Sequence, residues 1–147
     1  MLELEMTSAC DVRVEFLLPA LGEIPEDKTQ LTKTGKLSTR KMAQRDRVGL
    51  YSDLCTGIAL RLIHETLRVL ETVDVVEAFG LASDIDPATG HHREFVALHL
   101  QTSRQPMVSL NLDAVDPSSS FKSLGGVFLC DRKGELRPLQ GVNGLQD

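Results

Sequence analysis

Arg61, His64, Glu65 and Arg68 lie at helical spacing and offer the densest chemistry in the chain. Two guanidinium groups and an imidazole on one face suit a phosphate or a carboxylate, because arginine presents a planar fork of donors to oxyanions. The same row also fits a solvated helix face, since Arg61 and Glu65 stand at i and i+4. Cys55 precedes His64 on the same stretch. It falls among apolar residues, so it reads as a buried small hydrophobe and not as a nucleophile.

A second group surrounds the sequence SDIDPATGHH, where Asp84, Asp86, His91 and His92 lie close together with His99 seven residues on. Adjacent histidines on a strand point to opposite faces, which works against their sharing one ion. Ala88 stands where a calcium loop would place its third oxygen ligand. The expectation is a polar hairpin tip with no metal and no cofactor. A Mg²⁺-dependent nuclease would need carboxylates and a lysine near the attacking water. Glu65, Asp84, Asp86 and Glu94 could supply the acids, but there is no lysine between Lys41 and Lys122. The stretch His99-Leu100-Gln101-Thr102-Ser103-Arg104 would have to stand in for it, and arginine is too basic to shuttle protons. No Gly-rich phosphate loop, GxSxG or HExxH occurs. No catalytic residues are expected. The binding candidates are Arg61, His64, Glu65, Arg68, Asp86 and Arg104.

The elements that must hold these residues follow from periodicity. Val12, Val14, Phe16 and Leu18 alternate with polar residues over 11–18, which predicts a strand with one wet face. Leu2, Leu4 and Met6 alternate in the same way. Residues 20–47 are polar, with Pro25 and Gly35 as breakers, and predict a long, partly mobile connection. The spacing over 48–71 predicts a long helix. Its apolar rows are Leu50, Leu54, Ile58, Leu62 and Leu60, Ile63, Leu67, Leu70, widened by Tyr51, Cys55 and Val69. Segments 73–81 and 94–102 predict a hairpin turning at 86–90. Alternation at Val108, Leu110 and Leu112 predicts a third strand. Asp116-Pro117 starts a short helix as N-cap and first helical residue, and Gly125-Gly126 ends it. Segments 127–130 and 135–139 predict a strand pair, with a frayed tail at 141–147. The fold class is α+β: an antiparallel or mixed sheet on one long and one short helix.

The 147 residues suit a single domain. With five Phe, one Tyr and no Trp, the core must be aliphatic. Three cysteines without a CxxC suggest reduced thiols in a cytoplasm. The start of the chain lacks the pattern of a signal peptide, and no apolar run is long enough to span a membrane. The net charge of −5 works against general nucleic-acid binding. It is unevenly spread, however. Across 28–47, seven basic residues face only Asp46, which leaves +6 there and −11 elsewhere. That segment could be a solvated linker lying on the chain's own acidic surface. It could also be a basic arm for nucleic acid or an acidic partner.

The run Ala59-Leu60-Arg61 with His64-Glu65, then Asp86-Pro87-Ala88-Thr89-Gly90, Arg104, and Leu112 with Val115-Asp116-Pro117, resembles a module of larger bacterial proteins labelled restriction-endonuclease-like. The resemblance covers about residues 50–139. It implies a bacterial, cytoplasmic setting and leaves the chemistry open. The expected order of helix, three strands, helix and strand is also that of the PD-(D/E)xK nucleases. The sequence therefore points to a non-catalytic interaction or assembly module that docks another protein or forms a homodimer by pairing an exposed strand edge. Arg13 and Glu15 protect the first strand and Pro138 limits the last, which leaves the strand at 108–112 with only Ser109 and Asn111, unless the 20–47 connection folds over the edge and keeps a monomer. The alternative is a nucleic-acid- or phosphate-binding domain with a degenerate nuclease-like fold.

Overall fold

The computed structural model describes residues 2–142. The alternating segment forms β2 (Asp11–Leu17). Its apolar positions Val12, Val14 and Phe16 are buried under a long helix, α1 (Gln44–Val69). β1 (Leu2–Met6) runs antiparallel along one side of β2. On the other side β2 pairs in parallel with β5 (Val75–Ile85), so α1 lies in the crossover between two parallel strands. β5 pairs antiparallel with β6 (His92–Ser103), and β6 with the two-residue β7 (Val127–Phe128). The result is a mixed five-stranded sheet in the order β1-β2-β5-β6-β7, in an α+β fold.

The helix turns a particular stripe to the sheet. Tyr51, Cys55, Ala59, Ile63 and Leu67 recur every four residues and are buried, as are Thr56 and Leu60. Leu50 of the first expected row is exposed, and Leu54, Ile58 and Leu62 are half-buried at the border of the core. Both rows are apolar, so periodicity alone could not choose between them. The buried stripe runs beside the second expected row and shares Ile63 and Leu67 with it, with small Cys55 and Ala59 in its middle.

The hairpin is longer than expected, and its tip matches the reading. The Asp86 carbonyl accepts from the N–H groups of Thr89 and Gly90, and Gly90 takes φ +72°. A register shift falls between Gly80 and Leu81. A Cβ at Gly80 would come within 2.9 Å of the Leu98 Cβ, so only glycine fits that crossing. The short helix α3 (Pro117–Ser123) begins as expected, with the Asp116 carboxylate accepting from the Ser119 N–H at 3.1 Å. Downstream, an isolated bridge joins Cys130 to Leu136 beyond β7. Of the tail expected to fray, residues 143–147 lie outside the described residues.

One expectation is corrected, and one segment holds more regular structure than its sequence indicated. The third strand at 108–112 does not form: a short helix, α2 (Arg104–Val108), runs into turns. The Ser109 N–H donates to the Gln105 carbonyl and its hydroxyl to the Pro106 carbonyl. Asn111 then accepts the Asp113 N–H on its side chain and the Ala114 and Val115 N–H groups on its carbonyl. Short polar side chains bonding to nearby backbone outweigh three alternating apolar residues. From α1 onward the order is therefore α-β-β-α-α-β. The 20–47 connection is also more regular than a linker. It holds a 3₁₀ turn (Leu21–Glu23), a two-stranded ribbon of β3 (Asp27–Leu31) and β4 (Leu37–Lys41), and the first turn of α1.

Truncating a residue of the stripe that faces the sheet should cost more than truncating one at its border. Ile63→Ala should lower unfolding free energy by about 2–5 kcal/mol, and Leu62→Ala by clearly less. Urea titration of both variants measures the difference, and equal losses would contradict this orientation of the helix.

Candidate functional site

The six candidate residues occupy three separate places. Arg61, His64, Glu65 and Arg68 sit on the outer face of α1. Glu65 pairs with Arg68 and not with Arg61: Arg68 donates from Nε and Nη2 to Glu65 Oε2 at 2.9 and 2.7 Å. That hydrogen bond holds the Glu65 carboxyl below its usual range. His64 Nδ1 is 3.8 Å from Glu65 Oε1. Arg61 borders a cleft of about 430 Å³ beside Leu112, Val115 and Pro117. Asp86 is at the hairpin tip, where its side chain accepts from the Ala88 N–H at 2.8 Å. Arg104 closes the far end of the helix. Its guanidinium donates to the carbonyls of Leu67, Leu70, Glu71 and Val73 at 2.8, 3.0, 3.3 and 2.5 Å. These include carbonyls that a helix C-terminus leaves without partners, and the cation also meets the negative end of the helix dipole.

The neighbouring hairpin residues are also engaged. Asp84 pairs with Arg93 on the opposite strand, which lowers its carboxyl. Cys55 is fully buried, and that burial pushes its thiol up to about 12, far from a reactive thiolate. Beside it the Tyr51 hydroxyl donates to the Pro19 carbonyl at 2.7 Å, and burial raises its pKa as well. A second cleft, between α1 and α3, is lined by Ser52, Thr56 and Ser118 with Arg45 and Lys122. Its hydroxyls are turned inward. Ser118 donates to Asp53 Oδ1 at 2.7 Å and Thr56 to the Ser52 carbonyl at 2.8 Å, so an incoming anion would compete with both bonds.

A polar cluster that the sequence did not indicate lies on the sheet face away from α1. Strand register sets Arg13 opposite Glu77, and Phe79 opposite His99. His99 Nε2 is 3.0 Å from Glu77 Oε1, and Arg13 Nε is 3.6 Å from Glu77 Oε2. The Phe79 ring lies 5.2 Å from the His99 ring and 4.9 Å from the Arg13 guanidinium. A carboxylate-bound imidazole can relay a proton, but among the described residues no hydroxyl or thiol is hydrogen-bonded to His99. The only sequence signal for this cluster was the wet face of β2. The partner strand that completes it is more than sixty positions away.

Two exposed features remain that can meet another macromolecule. In β1, Leu2, Leu4 and Met6 lie opposite Phe16, Val14 and Val12 and so point to the helix side of the sheet. Their opposite numbers are buried, yet these three are 54%, 50% and 51% exposed. β1 is the outermost strand of the sheet, beyond β2, and among the described residues nothing pairs with its outer edge. The β3–β4 ribbon stands apart. All of β3 is exposed, and in β4 only Ser38 is partly shielded. Leu31 and Leu37 face one side of the ribbon beside its turn, 68% and 77% exposed. Lys28 and Arg40 sit directly opposite each other on the other side.

No family model, no curated protein and no solved structure matches this chain. No helix among the described residues is long and apolar enough to cross a membrane.

Acid should destabilise the fold in a defined window. Glu65, Asp84, Asp116 and Asp131 all have folded pKa values below their ordinary ones, the last chiefly through the Glu135 N–H. Each contributes fully above its unfolded value, near 4, and loses its contribution as pH falls through the lower folded value. The thermal midpoint should therefore drop below about pH 4. Asp116→Asn keeps a capping side chain and should make that drop shallower. Circular dichroism melts across this range test it, and an unchanged drop would remove Asp116 from the account.

Proposed function

We propose that this chain is a non-catalytic assembly module that forms a homodimer through the free edge of β1. One observation carries the reading: a five-residue edge strand whose three apolar side chains point toward the helix layer and are left half in water. An edge strand offers a row of backbone donors and acceptors, and an exposed apolar edge readily pairs with another chain unless it is blocked. β7, at the opposite edge, has only two residues and offers little. A closed two-fold contact is the commonest way for identical chains to bury such a surface. The engagement of Glu65, Asp84, Asp86 and Arg104 with their own neighbours, described above, supports a structural role for these groups over a catalytic one.

Sedimentation equilibrium at micromolar concentrations tests the proposal. The expected species is about 32 kDa, twice the chain mass of 16.2 kDa. Leu4→Lys sets a charge in the middle of the apolar row and should return the protein to monomers that keep the wild-type circular dichroism spectrum, with a thermal midpoint lowered by the loss of the partner. A wild-type chain that remains at 16.2 kDa sinks the reading.

A further inference from the structure

We infer that the partner of the β1 edge is the basic β3–β4 ribbon of a second copy, exchanged reciprocally across a two-fold axis. The inference rests on the assembly reading above and names the segment that completes it.

The first argument excludes the simplest alternative. If β1 paired with β1 of another copy, any register that kept Leu2, Leu4 and Met6 on one face would gather both copies of Glu3 and Glu5 on the other. Like charges directly across a strand pair are destabilising. The edge therefore fits a strand that brings cations to the glutamate face and apolar groups to the leucine face.

The ribbon has this pattern. It and the edge strand are both five residues long. Set antiparallel to β1, β4 can place Arg40 across from Glu3, Thr39 across from Leu4 and Leu37 across from Met6. The Lys41 stem then covers Leu2. Lys28, opposite Arg40 on the adjoining strand, adds a second cation to the same face. The ribbon also needs such a partner. Lys28 and Arg40 face each other as like charges, and among the described residues neither makes an ion pair. Leu31 and Leu37 are among the most exposed large apolar side chains described. Two strands alone are marginal in water, whereas added to a sheet they become part of a larger one. The charge balance is consistent, with +6 carried by residues 28–47 and −11 by the rest. A reciprocal dimer makes the contact twice. That better approaches the roughly 1,200–2,000 Å² of a stable interface than one edge-to-edge strand pair would.

Two variants and their mixture test the inference. Leu4→Lys disables the edge and leaves the ribbon intact; Lys28→Glu with Arg40→Glu does the reverse. All three positions are exposed, and melts confirm that the fold is kept. In sedimentation equilibrium each variant alone should be monomeric. An equimolar mixture should regain a species near 32 kDa that dissociates at lower dilution than the wild type, because one of the two contacts is whole again, with an intact ribbon from one chain on the intact edge of the other. Adding Glu3→Arg to the ribbon variant should restore its dimer. Raising salt from about 50 to 500 mM should weaken the wild-type dimer, since the contact joins opposite charges. A ribbon variant that still dimerises, with a mixture that gains nothing and a dimer that strengthens with salt, overturns the inference and leaves the assembly reading standing. A wild-type monomer removes both. If charge reversal leaves the dimer intact but abolishes salt-sensitive binding to duplex DNA, the ribbon is a nucleic-acid arm and the inference fails.

Discussion

The Arg104 guanidinium fixes where α1 ends, and much of the fold depends on that position. One side chain satisfies the carbonyls of Leu67, Leu70, Glu71 and Val73, while its own backbone N–H donates to the Asp74 carbonyl. The end of the helix, the following turn and the start of α2 are thereby locked together beside the first residues of β5. At the other end Arg47 plays the matching part, donating from its side chain to the carbonyls of Leu21 and Ile24. The helix is held by an arginine at each end and covers the strip of sheet that its length and position allow.

A single 26-residue helix cannot cover a five-stranded sheet. Over β2 and β5 the match is close, and Val12, Val14, Val76 and Ala78 are buried. On the opposite face, a smaller apolar cluster of Phe79, Leu81 and Val96 is packed by Leu139 and Val142. The uncovered remainder falls on β1. The same geometry that buries Val14 leaves Leu4, its pairing partner, half exposed.

Much of this was legible in the residues. The alternation at Val12, Val14 and Phe16, the turn at Asp86 to Gly90 and the Asp116-Pro117 helix start are local signals, and the chain obeyed each. The choice of row on α1 was not local, because it depends on which side of the helix meets the sheet. Arg104 became a binding candidate as one of the motifs of the resemblance and as a stand-in for the absent lysine. Its partners are carbonyls more than thirty positions earlier, and sequence does not number carbonyls as partners. The Glu77–His99 contact likewise required knowing which strands pair. The ribbon was missed for a different reason: its residues bury nothing, so no burial pattern marks them.

The ribbon's place in the chain has a consequence for folding. It is nested inside the crossover that joins β2 to β5, so the loop that must close before Asp11 can meet Val75 includes it. Loop-closure entropy grows only with the logarithm of length, and for a ribbon of this size the added cost is roughly 0.3 kcal/mol. The ribbon therefore adds little to the entropic cost of bringing the central parallel pair together. Changes in the arm's length, sequence or charge leave the closure of the central parallel pair nearly untouched, and its surface can vary under whatever contacts it makes while the kinetics of the body stay the same.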